Sequence, residues 1–209
     1  YFLQFDKKQL ELSKPYPPLA TIQAAALLRK NEFDVKLFDT NFELDPKNIT
    51  KEIKNLDPKV LVIYDDGFNY LTKMCLTAMR EAALEMIRIA KKENIFVVVS
   101  SSDSTDHYEL YLDAGADAVI IGEADETLLS LVETFKNQES IDEIAGIALK
   151  KENEIVTTKK RKILTNLDEL PIPAWDLIDI KPYKKAWEKH GYFSINLCTT
   201  RGCPYKCNW

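Results

Sequence analysis

The sequence predicts an α/β fold: a doubly wound, flavodoxin-like or Rossmann-like parallel sheet with helices on both faces. Three observations carry that expectation. Short apolar runs alternate with longer runs whose apolar residues recur at helical spacing. The runs KVLVIY (59–64), IFVVVS (95–100) and ADAVIIG (116–122) are apolar almost without interruption, as in strands buried on both faces. Their order, strand then helix then strand, is the pattern of parallel pairing through crossovers.

Taken in order, the chain opens with YFLQF (1–5), too short to read as a central strand. One strand is therefore missing from the count, and both ends of the chain read as trimmed. PYPPLATIQAAALLRKN (15–31) sets Pro17 and Pro18 at a helix start, where a missing N–H costs nothing, with Leu19, Ile22, Ala26 and Leu27 on one face. DVKLFD (34–39) reads as a short strand, and 47–55 as a polar helix. A long helix is expected over 70–93, with Leu76, Met79, Ala83, Met86, Ile87 and Ala90 at helical spacing. Further helices are expected over 107–114 and 126–137. After residue 140 the pattern changes. IAGIALKKENEIVTT (144–158) reads as a β-hairpin turning near 151–153. LDELPIPAWDLID (167–179), with its two prolines, reads as a linker, and YFSINLC (192–198) as a further strand. The expected division is an α/β domain over 1–140, a hairpin and linker over 141–190, and the start of a second domain over 191–209.

The bulk numbers fit one full domain plus the beginning of another: 209 residues, 45% of them hydrophobic. A net charge of -5 argues against a nucleic-acid surface as the main function, and Lys159–Lys162 reads as a solvated stretch beside a turn. No run reaches the length of a membrane span and no secretory pattern opens the chain, so a cytoplasmic protein is expected. Cys75 sits alone on an apolar helix face as a buried thiol. Cys198, Cys203 and Cys207 crowd together, which suggests metal rather than a disulfide framework.

The last residues, TTRGCPYKCNW (199–209), hold Cys203 and Cys207 in a C-x3-C spacing, with Gly202 permitting a turn and Pro204 stiffening the loop. Thiolates are the ligands soft enough for an iron–sulfur cluster. This stretch resembles the cluster loop of radical S-adenosylmethionine enzymes, C-x3-C-x-aromatic-C. The resemblance implies a 4Fe-4S cluster on Cys203 and Cys207, a third cysteine one residue further on, and S-adenosylmethionine on the fourth iron with Trp209 near the adenine. Cys198 matches no ligand position. Upstream, PYPPLATIQAAALLRKNEFDVKLFDTN, GADAVIIGEADETLLSLVE and LDELPIPAWDLI are similar to the cobalamin-binding-like domain and linker that precede the barrel in one subfamily of these enzymes. The resemblance covers essentially the whole chain. It implies cobalamin as a further cofactor, an unidentified substrate and an electron donor as partners, and methyl transfer, cyclisation or rearrangement as the outcome.

One departure stands out. The Asp-x-His-x-x-Gly motif of cobalamin domains with a histidine under the cobalt is absent, and neither His107 nor His190 lies in it. The loops that follow the strands supply the remaining candidates for a cobalamin crevice: Asp65 and Gly67; Ser100, Ser101, Ser102 and Ser104; and Gly122 with Glu123. Each has a plainer reading beside it: Asp65 and Asp66 as polar turn residues, Glu123 and Glu126 as favourable charges at a helix start. Two other functions stay open at this point. One is a cofactor-free flavodoxin-like module that binds a ligand or a protein. The other is a zinc protein using Cys198, Cys203, Cys207 and His190, a spacing that suits zinc knuckles poorly. With two of three ligands, the 209-residue chain is expected to hold no intact cluster. Anaerobic reconstitution followed by electron paramagnetic resonance checks this, and a stable stoichiometric cluster would contradict the reading of the loop.

Overall fold

The computed structural model describes residues 1–65, 76–152 and 154–202. In chain order the helices and strands are α1 (Lys7–Leu12), α2 (Leu19–Lys30), α3 (Ile49–Leu56), β1 (Val60–Tyr64), α4 (Leu76–Lys92), β2 (Phe96–Ser100), α5 (Ser102–Asp106), α6 (Tyr108–Asp113), β3 (Ala118–Ile120), α7 (Asp125–Lys136), β4 (Ile147–Lys151), β5 (Glu154–Thr157) and α8 (Ile180–Trp187), with short 3-10 turns between some of them.

The five strands form one sheet in the order β1-β2-β3-β4-β5. β1, β2 and β3 pair in parallel, with Val62 opposite Val98 and Val99 opposite Val119. Their apolar runs are packed from both sides. Leu61, Ile63, Val97, Val99 and Val119 face a cluster with Ile53 of α3, Ala83, Met86 and Ile87 of α4 and Leu112 of α6. Val60, Val62, Val98, Ala118 and Ile120 face Ala24 and Leu28 of α2 and Leu128, Leu131 and Val132 of α7. Val97, Val98 and Val99 are completely buried. This is the expected α/β architecture with helices on both faces. The sheet is mixed rather than purely parallel, because the 144–158 hairpin joins it. Ile147 lies opposite Ile120 at the carboxyl end of β3, so residues 137–146 carry the chain back along the sheet before β4 starts antiparallel.

Two expected strands are not formed among the described residues. Residues 33–39 lie extended beside β1, with Phe33 and Val35 towards one cluster and Phe38 towards the other, but they make no ladder. Residues 192–198 likewise carry no strand pairing, and Ile195 and Leu197 are exposed. An apolar alternation becomes a strand only where a neighbouring backbone is within ladder distance.

The proline-containing stretch does not hang free. Ala174 N–H donates to Ile22 O (3.1 Å), and Gln23 Nε2 donates to Pro171 O (2.7 Å), fastening it along α2. α8 then buries Tyr183 and Trp187 against the start of the chain. The Tyr183 hydroxyl donates to Asp39 and accepts from Asn41 Nδ2 (2.8 Å). Trp187 Nε1 donates to Pro15 O (2.8 Å), with Tyr16, His190 and Tyr192 packed edge-on around the indole. Trp187→Ala is expected to cost about 3–5 kcal/mol, since it opens a cavity and leaves the Pro15 carbonyl without its donor. Urea unfolding measures it, and a loss below about 1 kcal/mol would show that α8 contributes little to the domain.

Candidate functional site

Three parallel strands deliver three loops to one edge of the sheet, and the chemistry-bearing side chains collect there. β1 ends in Tyr64 and Asp65, β2 in Ser100 and the serine loop, β3 in the turn to Gly122–Asp125. The start of α2 closes one side: Thr21 Oγ1 donates to Tyr64 O (3.0 Å). Below this edge a cleft of about 760 Å³ runs along the open side of β1, with Tyr16 and Pro18 among its lining residues.

The serine loop is tied up in its own architecture. Ser101 caps α5: its hydroxyl accepts from Ser104 N–H (2.8 Å), while Ser104 Oγ accepts from Ser101 N–H (2.9 Å), a reciprocal capping box. Ser104 is completely buried and Ser100 nearly so, which leaves Ser102 as the exposed hydroxyl of the loop. Beneath it Asp103 accepts two bonds from Arg80 (Nε, 2.7 Å; Nη2, 2.5 Å) and one from the Tyr111 hydroxyl (2.6 Å). Burial alone would raise the Asp103 pKa, but the bonds from Arg80 and Tyr111 outweigh it and hold the carboxyl below its ordinary value. Tyr111 is pushed up, by burial first and then by Asp103.

Gly122 has φ +89, and no atom lies within 4 Å of where a Cβ would stand. Backbone is therefore presented to open space at this point, as a ligand approaching the edge requires. Glu123 has a structural partner: its Oε2 accepts from Leu164 N–H (2.6 Å), pinning the chain after the hairpin. Asp125, at the head of α7, is 5% exposed. Its Oδ2 takes an ion pair with Arg201, two residues ahead of Cys203, and the Tyr64 hydroxyl bonds to the same carboxylate. Burial would lower the Arg201 pKa, but the bond and charge of Asp125 raise it, so the guanidinium stays charged. Burial, and Asp125 after it, push Tyr64 upwards, keeping that phenol neutral.

The edge thus unites Asp65, the serine loop, Gly122 and Glu123. Gly67 and Asp66, with Cys75, Cys203, Cys207 and Trp209, lie outside the described residues. Cys198 is exposed. His107 is exposed between α5 and α6. His190 Nε2 contacts Leu12 O (2.9 Å) and packs on Trp187. Among the described residues no group of three His, Cys, Asp or Glu side chains is placed to hold a metal ion, and no helix is long and apolar enough to cross a membrane. Sequence reading missed Asp103, Arg80 and Tyr111, whose spacing carries no motif. It also missed Asp125 and Arg201, although each adjoins a stretch already singled out.

The residues fit a large amide-fringed ligand on this edge. Open backbone at Gly122 and an exposed hydroxyl at Ser102 are groups such a ligand can meet. Residues 10–132 match the B12 binding domain family. An uncharacterized methyltransferase of Pyrococcus horikoshii is 31% identical over 196 residues, covering 91% of this chain and 39% of the relative. The anaerobic magnesium-protoporphyrin IX monomethyl ester cyclase of Synechocystis is 24% identical, over 92% of this chain and 37% of its own. The chain thus spans about two fifths of the length of these relatives. Among solved structures, the cobalamin-dependent S-adenosylmethionine radical enzyme OxsB, with aqua-cobalamin and S-adenosylmethionine bound, superposes with a TM-score of 0.69. The identity is 20%, over 93% of this chain and 26% of that one. The radical S-adenosylmethionine methyltransferase TsrM from Kitasatospora setae reaches 0.58 at 18% identity, over 69% of this chain and 28% of that one.

The Asp103 network generates a pH prediction. A carboxyl held below its unfolded value of about 3.9 contributes stability that is complete above that pH and is lost as pH falls through the folded value. Asp103→Asn is therefore expected to lower stability at pH 7 by about 1.5–3 kcal/mol and to lose less of what remains between roughly pH 5 and pH 2 than the parent does. Urea midpoints across that range check both, and parallel pH curves for the two proteins would refute the assignment.

Proposed function

Because the chain belongs to the B12 binding domain family, we propose that it is the cobalamin-holding part of a radical S-adenosylmethionine enzyme. On this reading the carboxyl edge of the sheet would hold the cobalamin, and Cys203 and Cys207 would hold the 4Fe-4S cluster. The observation that carries this reading is the ion pair of Arg201 with Asp125. It anchors the chain two residues ahead of Cys203 to the head of α7, directly beyond Gly122 and Glu123. The cysteine-bearing stretch is therefore tied to the edge where the family's ligand would sit.

On this reading Asp65, Gly67, Ser102, Gly122 and Glu123 are the residues that would hold the cobalamin at this edge. Ser101 and Ser104 act indirectly, by holding the serine loop through their capping box. Asp125 acts indirectly too, by holding Arg201. When bound, cobalamin supplies a cobalt centre for group transfer and the cluster supplies the electron that cleaves S-adenosylmethionine. The chain has no Asp-x-His-x-x-Gly motif, so no histidine of it is assigned to the cobalt. Residues 191–209 begin the second domain, which brings the substrate and receives an electron donor. Methyl transfer is the outcome best supported, since relatives named as methyltransferases match the chain over most of its length. A cytoplasmic setting suits the thiolate ligands.

Hydroxocobalamin titration, followed by absorbance, tests the reading. Binding is expected to be unchanged in His107→Ala. It should fall at least about ten-fold in Ser102→Trp, which places bulk on the loop without removing a hydrogen bond of the α5 cap. A spectrum of imidazole coordination that vanishes in His107→Ala would overturn the axial assignment. Absence of binding to the protein extended through its second domain would overturn the cobalamin reading.

A further inference from the structure

α1 has its polarity reversed. It buries Gln9, which is 6% exposed, and turns Leu10 and Leu12 outwards, 49% and 45% exposed. Lys7 and Lys8 stand exposed on the same short helix. Asp6, which caps it, is buried and accepts from Gln9 N–H (3.1 Å) and from the Tyr1 hydroxyl (2.9 Å). The helix therefore offers solvent a mixture of leucine and lysine.

α8 is packed against the end of α1 and extends the same surface. The Ser13 hydroxyl donates to Ala186 O (3.2 Å), Lys189 Nζ donates to Glu11 O (2.6 Å), and His190 Nε2 lies 2.9 Å from Leu12 O. Lys14 Nζ donates to the Tyr192 hydroxyl (3.1 Å) and sits over the Trp187 and Tyr192 rings. With Tyr183 and Trp187 buried, Lys181, Lys184 and Lys185 are left exposed. Lys181 and Lys185 are four residues apart, a like-charge spacing that works against the helix. Among the described residues, Lys7, Lys8, Lys181, Lys184, Lys185 and Lys189 take part in no ion pair, whereas Lys59, Lys91, Lys150 and Lys151 each have one. The exposed acids here are Glu11, Asp179 and Glu188, and Asp179 already caps α8. A chain of net charge -5 thus concentrates lysines on one face.

We propose that the α1–α8 face docks an acidic protein. On the reading above, on which this identification rests, that partner is the electron donor, held on this side while it faces the second domain. Charge and chemistry favour such an occupant. Lysines are flexible point charges that steer an acidic surface into place, and Leu10, Leu12 and Tyr192 give the contact an apolar centre. A nucleic-acid backbone would find no arginine on either helix and would leave the leucines bare. A membrane would need an apolar helix face, and that of α8 is already turned onto the start of the chain. The face is also small. Helices of 6 and 8 residues are about 9 and 12 Å long, in keeping with the modest contacts of electron-transfer pairs. Its place suits the role. Trp187 Nε1 donates to Pro15 O (2.8 Å), just ahead of α2, whose start meets the carboxyl edge at Tyr64. The chain leaving α8 then reaches Asp125 at that same edge through Arg201.

Titration of the isotope-labelled 209-residue chain with an acidic flavodoxin, followed by nuclear magnetic resonance, tests the face. Amide shifts are expected to concentrate in α1, α8 and residues 188–192. Affinity is expected to fall at least about ten-fold between about 20 and about 200 mM salt. Lys181→Glu, Lys184→Glu and Lys185→Glu combined are expected to weaken binding at least about ten-fold. Lys159→Glu, Lys160→Glu and Lys162→Glu combined, the same charge change on an exposed stretch elsewhere, are expected to leave it within about two-fold. If the α8 variant does not fold, the shift map and salt dependence of the unaltered chain decide. Shifts centred elsewhere, equal losses in the two triple variants, or no binding at low salt would overturn the proposal. So would a single-stranded oligonucleotide or phosphatidylserine vesicles binding this face more tightly than the flavodoxin. None of these readouts involves cobalamin or a cluster, so failure here and failure of hydroxocobalamin binding are separate results.

Discussion

Burial of three parallel apolar strands on both faces is the constraint from which the rest follows. A strand such as FVVVS offers no polar face, so helices must cover it on each side, and only crossover connections can supply them. Crossovers send every strand-to-helix loop to the same edge. That topological consequence gathers Asp65, the serine loop and the Gly122 turn, residues dozens of positions apart in sequence, along one edge. The hairpin and α8 add to this layer without altering it: one extends the sheet beyond β3, the other buries Trp187 and Tyr183 against the start of the chain.

Charge then decides how the edge is held. Two carboxylates at helix starts, Asp103 in α5 and Asp125 in α7, each recruit an arginine from a distant element. Both pairs are largely shielded, so removing one partner would strand the other, whereas the exposed Arg29–Asp176 and Lys59–Asp57 pairs matter far less. The Arg80–Asp103–Tyr111 set stiffens the serine loop from beneath. The Arg201–Asp125 pair reaches outwards and brings the chain approaching Cys203 down to the sheet. A stiffened loop on one side and an anchored approach on the other hold the edge between them.

Much of this was legible in the sequence, and the limits have physical causes. The buried strands and the helices around them declared themselves because periodicity and unbroken apolar runs are local signals. The hairpin turn near 151–153 was readable for the same reason. DVKLFD was read as a strand and is extended, but pairing depends on a neighbour that local sequence does not contain. The mixed sheet was not foreseen because nothing in IAGIALKK says which strand it will join. At the site, Gly122 and the serine loop were found by their position after strands. The reciprocal bonding of Ser101 with Ser104 was not, so hydroxyls that looked available for a ligand turn out to hold the loop together. Asp125 and Arg201 lie 76 residues apart, and no spacing rule links them.

Neither histidine stands at a strand end: His107 is exposed between α5 and α6, and His190 packs on Trp187. The groups the edge presents are the backbone at Gly122 and the hydroxyl of Ser102. Those groups are set by the same two features that hold the cysteine approach: the head of α7 and the capped start of α5. A shift of α7 would move Asp125, Arg201 and the Gly122 turn together. Through that one helix the Gly122 turn and the approach to Cys203 are coupled.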